Sequence, residues 1–424
     1  MDLAWISLAA LAITVVISCT TPVNPGVVAV VFAWVIGTYL HPAGGKAIGL
    51  KGLVAGFPSE LFLTLVGVTL LFAQAQANGT LERVTRAAVR ACRGNAGMIP
   101  VAFFGLALGL ASIGAGNIAA AALVGPMAMT VADRVKIPAF LMAIMVAHGA
   151  VAGALSPFAP TGIITAELMD RMGMPGHELR SYLANLLANV AVAFAGYAAF
   201  GGLSLFRREA DAPADDPGSP APALHARHAL TLAVIAALIV GVTVFGVQVG
   251  MGAFAGAALL TLTGAADERA AVRAMPWGVM LMVCGVTVLT ALLEQTGGLD
   301  LFSTILSNFS TRRTVAGVIA FVTGLVSVYS STTGVVLPAF LPGVPGLVQK
   351  LGGGDPLALA IASSILVGGN LVDVSPLSTI GALCIAGVGA GEDRRMLFNR
   401  LLAWGLSMSV VGALICQLAF GGSR

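Results

Sequence analysis

The sequence has few charged residues, since Asp, Glu, Lys and Arg make up only 10% of its 424 positions. Because a soluble domain carries roughly a quarter charged residues, this shortage argues against a water-soluble globular protein. Hydrophobic residues account for 58% of the chain, and the mean hydropathy is +0.95. Apolar runs of about 20 residues, long enough to cross a bilayer, recur throughout. These runs are too long and too uniformly apolar for barrel strands, so the sequence predicts an all-α polytopic membrane protein.

The chain also lacks the residue patterns of metal, nucleic-acid and catalytic sites. Its cysteines share no metal-ligand spacing and are expected to be mainly buried apolar side chains: Cys19, Cys92, Cys284, Cys384 and Cys416. Basic residues stand singly between spans, which argues against a nucleic-acid partner. An intramembrane enzyme would need a complete catalytic group, and only His148 with Ser156 comes near one. We therefore expect no enzyme activity, no cofactor and no metal beyond Na⁺.

What the chain does have is an internal repeat. Shifting residues 57–82 by 218 positions onto 275–300 gives 9 identities in 26 positions. Further along the chain, a shift of 219 positions aligns Ser156-Pro157 with Ser375-Pro376. Biased composition does not readily align Pro, Gly and Ser-Pro in one order, so we infer a duplication. The predicted organisation is a first repeat at 1–205, a cytoplasmic linker at 206–227 and a second repeat at 228–424.

The two repeats are predicted to lie in opposite orientations. If residues 98–129 form a hairpin that returns to its own side, an odd number of crossings separates residue 57 from residue 275, which inverts the second copy. Basic residues favour an outside N-terminus, because more of them then lie in inner loops. The predicted architecture is about 10 transmembrane helices plus two re-entrant hairpins, a helix count that follows from the length needed to cross a bilayer.

Four apolar segments are interrupted. Segment 98–129 would span about 48 Å as one helix, well beyond a hydrocarbon core of about 30 Å, and its centre contains Gly and Asn. Its repeat mate 315–348 has a centre rich in Ser and Thr. We interpret both as hairpins with midplane tips; a helix-packing face of small residues is the alternative. Segments 137–168 and 355–390 each contain a Ser-Pro pair that predicts a broken helix, with a simple proline kink as the alternative.

These interruptions suggest what the site binds. Half-helix N-termini at the midplane carry partial positive charge and suit a carboxylate, whereas unwound carbonyls and side-chain oxygens suit Na⁺. No Arg or Lys lies in any interruption. Asp373 could ligate a cation or carry a proton, with a structural capping role as the alternative. His148 either titrates near neutral pH or packs as a buried histidine with both nitrogens satisfied.

A spaced set of residues in both repeats resembles the ion transporter superfamily: Pro58, Gly67-Val68 and Asn78-Gly79-x-Leu81, repeated as Pro276 to Gly297-x-Leu299. Within it, the chain is similar to the divalent anion–sodium symporters and, in its first half, to malonate-carrier-type dicarboxylate transporters. The resemblance covers most of 1–205 and 228–424. It implies homodimers with a scaffold domain and a moving transport domain, which work as an elevator. Two hairpins and two broken helices would hold substrate and coupling ions.

The hairpin tips of this family carry Ser-Asn-Thr signatures. The first tip here keeps the asparagine at Asn117, nine residues before Pro126, and the second tip has threonines. The second tip can be aligned with the first by matching Pro126 to Pro342 or to Pro345. The two alignments differ by three residues, and the sequence favours neither. The broken helices have Ser-Pro where the family more usually has Thr-Pro.

These arguments together predict a site. The predicted substrate-binding residues are Ser112, Gly116, Asn117, Pro157, Thr161, Ser331, Thr332, Thr333, Pro376 and Thr379. The predicted cation-binding residues are Ser112, Gly114, Asn117, Ser156, Ser330, Thr333, Asp373 and Ser375. The predicted function is symport of a small dicarboxylate with Na⁺ or H⁺ across the plasma membrane. A carrier or channel for another anion, citrate or inorganic, on the same scaffold is the alternative.

Overall fold

The computed structural model describes residues 3–40, 48–83, 95–207, 225–386, 388 and 393–422. Within these ranges the chain is built from helices and has no β-strand. Nine helices among the described residues are long and apolar enough to cross a membrane, and four shorter apolar helices accompany them. The prediction of an all-α polytopic membrane protein is therefore confirmed. Most of the predicted linker, and Cys92, lie outside the described residues.

The first half contains ten helices within the described ranges. In chain order they are α1 (Leu3–Thr20), α2 (Pro25–Tyr39), α3 (Gly49–Ala55), α4 (Ser59–Ala77), α5 (Met98–Leu110), α6 (Gly116–Val135), α7 (Ala139–Ala152), α8 (Pro160–Arg171), α9 (Glu178–Ala199) and α10 (Gly202–Leu205). The start of α2 follows local chemistry, because the Asn24 side chain accepts a hydrogen bond from Gly26 N–H and Pro25 takes the first helical position.

The second half contains eleven helices within the described ranges. They are α11 (Ala226–Phe245), α12 (Val249–Leu262), α13 (Glu268–Ala274), α14 (Trp277–Thr296), α15 (Gly298–Asn308), α16 (Val315–Tyr329), α17 (Leu337–Phe340), α18 (Val344–Leu351), α19 (Asp355–Leu371), α20 (Thr379–Ala386) and α21 (Arg394–Phe420). The N-terminus of α12 is capped like that of α2, since the Gln248 side chain accepts from Met251 N–H.

Helices α7 and α19 lie at the centre of the bundle. Every residue of α7 is buried, and so is every residue of α19 from Ala360 onwards. A helix that is apolar on all sides is typical of a core position. Both helices end shortly before a Ser-Pro pair, Ser156-Pro157 after α7 and Ser375-Pro376 after α19. The two interruptions therefore lie inside the protein and not at its surface.

Two helix crossings depend on glycine pairs. A Cβ at Gly26 of α2 would lie 2.1 Å from the carbonyl oxygen of Leu281 on α14, and one at Gly285 would lie 2.1 Å from the carbonyl oxygen of Gly26. A Cβ at Gly67 of α4 would lie 2.4 Å from the carbonyl oxygen of Gly250 on α12. Small residues let membrane helices approach closely enough for their backbones to touch. The backbones of α2 and α14 are therefore in direct contact, and so are those of α4 and α12.

The substitution Gly26→Ala is expected to destabilise the fold. Its added methyl group would force α2 away from α14, and overpacking of this kind costs about 1–3 kcal/mol. Gly109→Ala is the matched control, because a Cβ at Gly109 meets nothing within 4 Å. Thermal unfolding of the purified protein in detergent should give a lower midpoint for Gly26→Ala than for the control. Equal midpoints would contradict the close packing of α2 on α14.

Candidate functional site

The first tip is a turn between α5 and α6. Gly114 has φ 122° and Gly116 has φ 79°, a region that residues with a side chain rarely adopt. A Cβ at Gly114 would lie 2.3 Å from a ring carbon of Phe72, so the tip packs directly against α4. Asn117 follows at the start of α6, where its Oδ1 accepts from Ile118 N–H at 3.0 Å. The Asn117 amide nitrogen therefore remains the donor that this side chain can offer to a ligand.

The second tip connects α16 to α17 and presents hydroxyl groups. The Ser331 side chain accepts a hydrogen bond from Gly334 N–H at 3.0 Å and caps the helical turn Thr332–Val336. The first N–H groups of a helical turn have no partner within it, so this end of the turn suits an anion. Ser330 Oγ lies 2.9 Å from Ser18 Oγ at the end of α1. The second tip therefore also contacts the beginning of the chain.

Hydrogen bonds join each tip to the Ser-Pro interruption of its own half, which we call the first and second break (residues 153–159 and 372–378). Ser156 Oγ donates to the carbonyl oxygen of Ser112 at 2.6 Å, which ties the first break to the first tip. Thr332 Oγ1 donates to Asp373 Oδ1 at 2.7 Å, which ties the second break to the second tip. Each half thus contributes one connected unit of tip and break.

A cavity of about 390 Å³ lies beside the second tip. Its walls come from the α1–α2 connection, the first turn of α14, both tips and the second break. The predicted site residues that line it are Asn117, Ser330, Ser331, Thr332, Thr333, Asp373 and Thr379. Among the described residues of its lining, Asp373 is the only charged side chain. Hydroxyl, amide and backbone groups therefore supply nearly all of the polar surface.

Oxygen atoms converge around Thr332. Its Oγ1 lies 2.7 Å from Asp373 Oδ1 and 3.1 Å from the carbonyl oxygen of Gly369, and it forms a short hydrogen bond with Ser327 Oγ. Two hydroxyl protons, one from Thr332 and one from Ser327, are shared among four oxygen atoms. Asp373 is only 7% exposed. Such an oxygen-rich, proton-poor cluster is chemically suited to a cation or to an additional proton.

Asn370 adds an unusual feature beside this cluster. It is fully buried, and neither its Oδ1 nor its Nδ2 has a hydrogen-bond partner among the described residues. Asn370 lies in the last turn of α19, three residues before Asp373. Leaving a buried polar group without a partner costs about 1–3 kcal/mol. Asn370, which sequence reasoning did not select, is thus a further candidate ligand.

The remaining predicted site residues do not line this cavity: Ser112, Gly114, Gly116, Ser156, Pro157, Thr161, Ser375 and Pro376. Thr161 reaches it indirectly, because its Oγ1 lies 3.0 Å from Thr333 Oγ1. The Ser112 hydroxyl is 3.1 Å from Tyr182 Oη, and the Ser375 side chain accepts from Leu377 N–H at 3.3 Å. The binding roles of these eight residues stay predictions.

Sequence reasoning missed the connection between α1 and α2. Ser18, Thr21 and Asn24 line the cavity, and Asn24 Nδ2 donates to the carbonyl oxygen of Gly278 at 2.8 Å. The available signal was the polar, proline-bounded run Thr-Thr-Pro-Val-Asn-Pro between two spans. Ser378, between two predicted residues of the second break, also lines the cavity. One wall of the site therefore comes from the first two helices.

Comparison with known proteins adds two kinds of similarity. Residues 1–154 match the family model for the N-terminus of the dicarboxylate carrier protein MatC. The sequence has no significant match among curated proteins.

Two solved transporter structures share the fold. The YdaH transporter of Alcanivorax borkumensis, reported to have an unusual topology, aligns with a TM-score of 0.59 at 16% identity over 98% of this chain and 99% of its own. MtrF of Neisseria gonorrhoeae, from a class of antimetabolite efflux pumps, aligns with a TM-score of 0.52 at 12% identity over 97% and 98%. At these identities the alignments establish the fold alone. The chain has the fold of a multi-pass membrane transporter, and the comparisons point to a transporter and not to an enzyme.

Proposed function

We propose that this protein is a secondary active transporter that moves a small dicarboxylate across the plasma membrane together with Na⁺ or H⁺. The observation that carries the proposal is the cavity at the second tip, where hydroxyls, amides and helix N-termini surround one buried carboxyl group. The match of residues 1–154 to a dicarboxylate carrier model supports the substrate class.

A carboxylate in this cavity would be held by dipoles and neutral donors. The turn that follows Ser331 and helix α20, which begins at Thr379, both start at the cavity wall. The N-terminus of a helix carries roughly half a positive charge and unpaired N–H groups, which together favour an anion. The Thr333 hydroxyl and the Asn117 amide add side-chain donors from the two halves. Such a site suits a substrate that is released easily on the other side.

The Asp373 carboxyl group explains why a cation would accompany the substrate. Two like charges about 4 Å apart repel by about 4 kcal/mol at an effective dielectric constant of about 20. A dicarboxylate beside ionised Asp373 therefore needs a compensating positive charge. Oxygens of Ser327, Thr332 and Gly369 cluster with this carboxyl group and suit Na⁺. Protonation of Asp373 would remove the same repulsion.

Matched features of the two halves support inverted repeats and an elevator motion. The two glycine-packed crossings, α2 on α14 and α4 on α12, each join a helix of the first half to a helix of the second, and each half has one tip and one break. The breaks also pack alike, since a Cβ at Gly162 would lie 1.9 Å from the carbonyl oxygen of Ser156 and one at Gly381 would lie 2.2 Å from that of Ser375. In the proposed mechanism the tips and breaks form the moving body, and the glycine-packed helices form the scaffold. The family resemblance extends this proposal to a homodimer.

Purified protein in proteoliposomes should take up radiolabelled malonate, succinate, malate or citrate when an inward Na⁺ or proton gradient is imposed. Uptake should saturate with substrate and exceed equilibrium, which separates a carrier from a channel. Replacing Na⁺ by choline at two pH values identifies the coupling ion, and protein-free liposomes are the control. Absence of uptake for every carboxylate under every gradient would overturn the proposal. Uptake restricted to inorganic anions would favour the alternative substrate class.

A further inference from the structure

A line of buried polar side chains connects the first half to the second. Asn185 Nδ2 on α9 donates to the carbonyl oxygen of Val151 near the end of α7 at 2.9 Å, and Asn189 Nδ2 donates to Asn185 O at 3.0 Å. Asn189 Oδ1 lies 2.9 Å from His148 Nδ1. Trp404 Nε1 on α21 donates to His148 Nε2 at 3.0 Å. Asn185, Asn189 and His148 are fully buried, so these bonds join α7, α9 and α21 in the interior.

The partners of His148 assign one form of its ring. The Trp404 indole N–H can only donate, so His148 Nε2 is the acceptor. Asn189 uses its Nδ2 on Asn185, which leaves Oδ1 to accept from His148 Nδ1–H. The ring is therefore neutral, carries its proton on Nδ1 and has both nitrogens satisfied. Removing either partner would leave a buried polar atom without a bond, which proteins avoid.

The residue after Trp404 reaches the second break. A Cβ at Gly405 would lie 2.8 Å from Ser375 Cβ and 3.0 Å from Ser375 Cα, so the backbone of α21 rests directly on the Ser-Pro pair. Two aromatic rings flank the Trp404 indole, since the centroids of Phe140 and Phe200 lie 6.1 and 5.7 Å from it. Trp404 therefore contacts α7, which leads into the first break, and the next residue, Gly405, contacts the second break.

At the second tip the two halves are joined in another way. There the hydroxyls of Thr161 and Thr333 lie 3.0 Å apart, linking α8 after the first break to the second tip. Either hydroxyl can donate in that pair, and a single rotatable contact restrains the spacing weakly. The polar line through His148 and Trp404, in which each donor and acceptor has one assigned role, is the more directional of these two hydrogen-bonded connections between the halves.

We propose that His148 and Trp404 are positioning residues that hold the first and second breaks at a fixed separation, so that the substrate-binding walls of the two halves keep their spacing. The consequence for transport rests on the proposed function, whereas the consequence for the rigidity of the breaks does not. Neither residue lines the cavity, so both act on the substrate through the breaks that they hold.

Paired variants separate this role from simple packing. Trp404→Phe removes the indole donor and keeps an aromatic ring beside Phe140 and Phe200, although some packed volume is lost as well. In His148→Gln the longer side chain places an amide oxygen near the position of Nε2, where it can accept from Trp404. In His148→Asn the shorter side chain reaches only the position of Nδ1, so it can bond Asn189 but not Trp404. Trp34→Phe is the matched control, because Trp34 on α2 is 46% exposed and lies away from the line. Two readouts apply: amide hydrogen exchange of residues 153–159 and 372–378, and KM and maximal rate of carboxylate uptake.

We expect Trp404→Phe and His148→Asn to speed exchange in both breaks and to raise KM by roughly two- to thirtyfold, the range seen when contacts in coupling networks are removed. His148→Gln and Trp34→Phe should stay near the wild type in both readouts. Unchanged exchange and KM in Trp404→Phe would overturn the proposal, and so would equal behaviour of His148→Gln and His148→Asn. If the wild type takes up no carboxylate, the proposed function fails, and the exchange rates still decide whether the line holds the breaks.

Discussion

Replacing Thr332 by valine is expected to lower the initial rate of carboxylate uptake roughly tenfold to hundredfold, because a hydrogen bond to a buried charged group contributes about 1.5–3 kcal/mol. Valine keeps the shape of threonine and removes the hydroxyl that bonds Asp373 Oδ1 at 2.7 Å and the carbonyl oxygen of Gly369 at 3.1 Å. The second tip then loses its tie to the second break, and the oxygen cluster loses a central member. Uptake into proteoliposomes at matched protein content measures the effect.

Thr323→Val is the matched control for this substitution. Thr323 lies on α16, which leads into the second tip, and is fully buried; among the described residues its Oγ1 bonds carbonyl oxygens of its own helix, Ile319 O at 2.7 Å being the nearer. Its replacement should leave uptake within about twofold of the wild type, because membrane hydrogen bonds of this kind contribute little. If the two variants lose uptake equally, the hydroxyl of Thr332 has no special role.

The substitution Asp373→Asn should strongly weaken the cation dependence of uptake. An asparagine can still accept the hydrogen bond from Thr332, so the second break should keep its shape, but the negative charge that attracts a cation is gone. Loss of one charge–ligand contact corresponds to roughly a ten- to hundredfold weaker response to the coupling ion. Uptake measured over a series of Na⁺ concentrations and of pH values gives this response directly.

Asp300→Asn is the control for the loss of one carboxylate. Asp300 lies 2.7 Å from Lys350 in an ion pair whose aspartate side chain is 73% exposed. Exposed ion pairs contribute about 0–1 kcal/mol, so this variant should keep a wild-type response to the cation. A full cation response in Asp373→Asn, equal to that of Asp300→Asn, would show that the coupling ion binds elsewhere.

Sequence patterns predicted the membrane architecture because lipid imposes strong local rules. Long apolar runs had to be helices, and the Ser-Pro pairs at Ser156 and Ser375 marked two interruptions that the structure places at the ends of buried α7 and α19. Glycine-rich Gly114–Gly116 likewise lies at a turn with positive φ. In each case the signal lies within a few residues, so no knowledge of the tertiary contacts was needed.

The walls of the site were predicted less completely because they depend on contacts between distant residues. Asn24 is held at the cavity by its bond to Gly278, which lies 254 positions away in the sequence. The residues near Asn24 give no indication of this partner. Ser112 illustrates the opposite case, since its residue type suits a ligand but its groups meet Ser156 and Tyr182. Residue type predicts what a side chain can bind, whereas packing decides whether it faces the cavity.

The two halves also differ more than the repeat suggests. Both tips line the cavity, but the first contributes only Asn117 and Ile118, whereas the second contributes residues 329–333. The two halves therefore contribute unequally to the wall of the cavity.

Substrate protection of a cysteine placed in the cavity tests the central claim most directly. Leu377 is 45% exposed in the cavity wall, and Leu325 on α16 is 42% exposed outside it. Each would be changed to cysteine in a transport-competent background that lacks the native cysteines: Cys19, Cys92, Cys284, Cys384 and Cys416. Succinate or malonate with the coupling ion should slow maleimide labelling of Leu377→Cys and leave Leu325→Cys unaffected. Equal labelling of Leu377→Cys with and without a transported dicarboxylate would contradict the placement of the substrate site in this cavity.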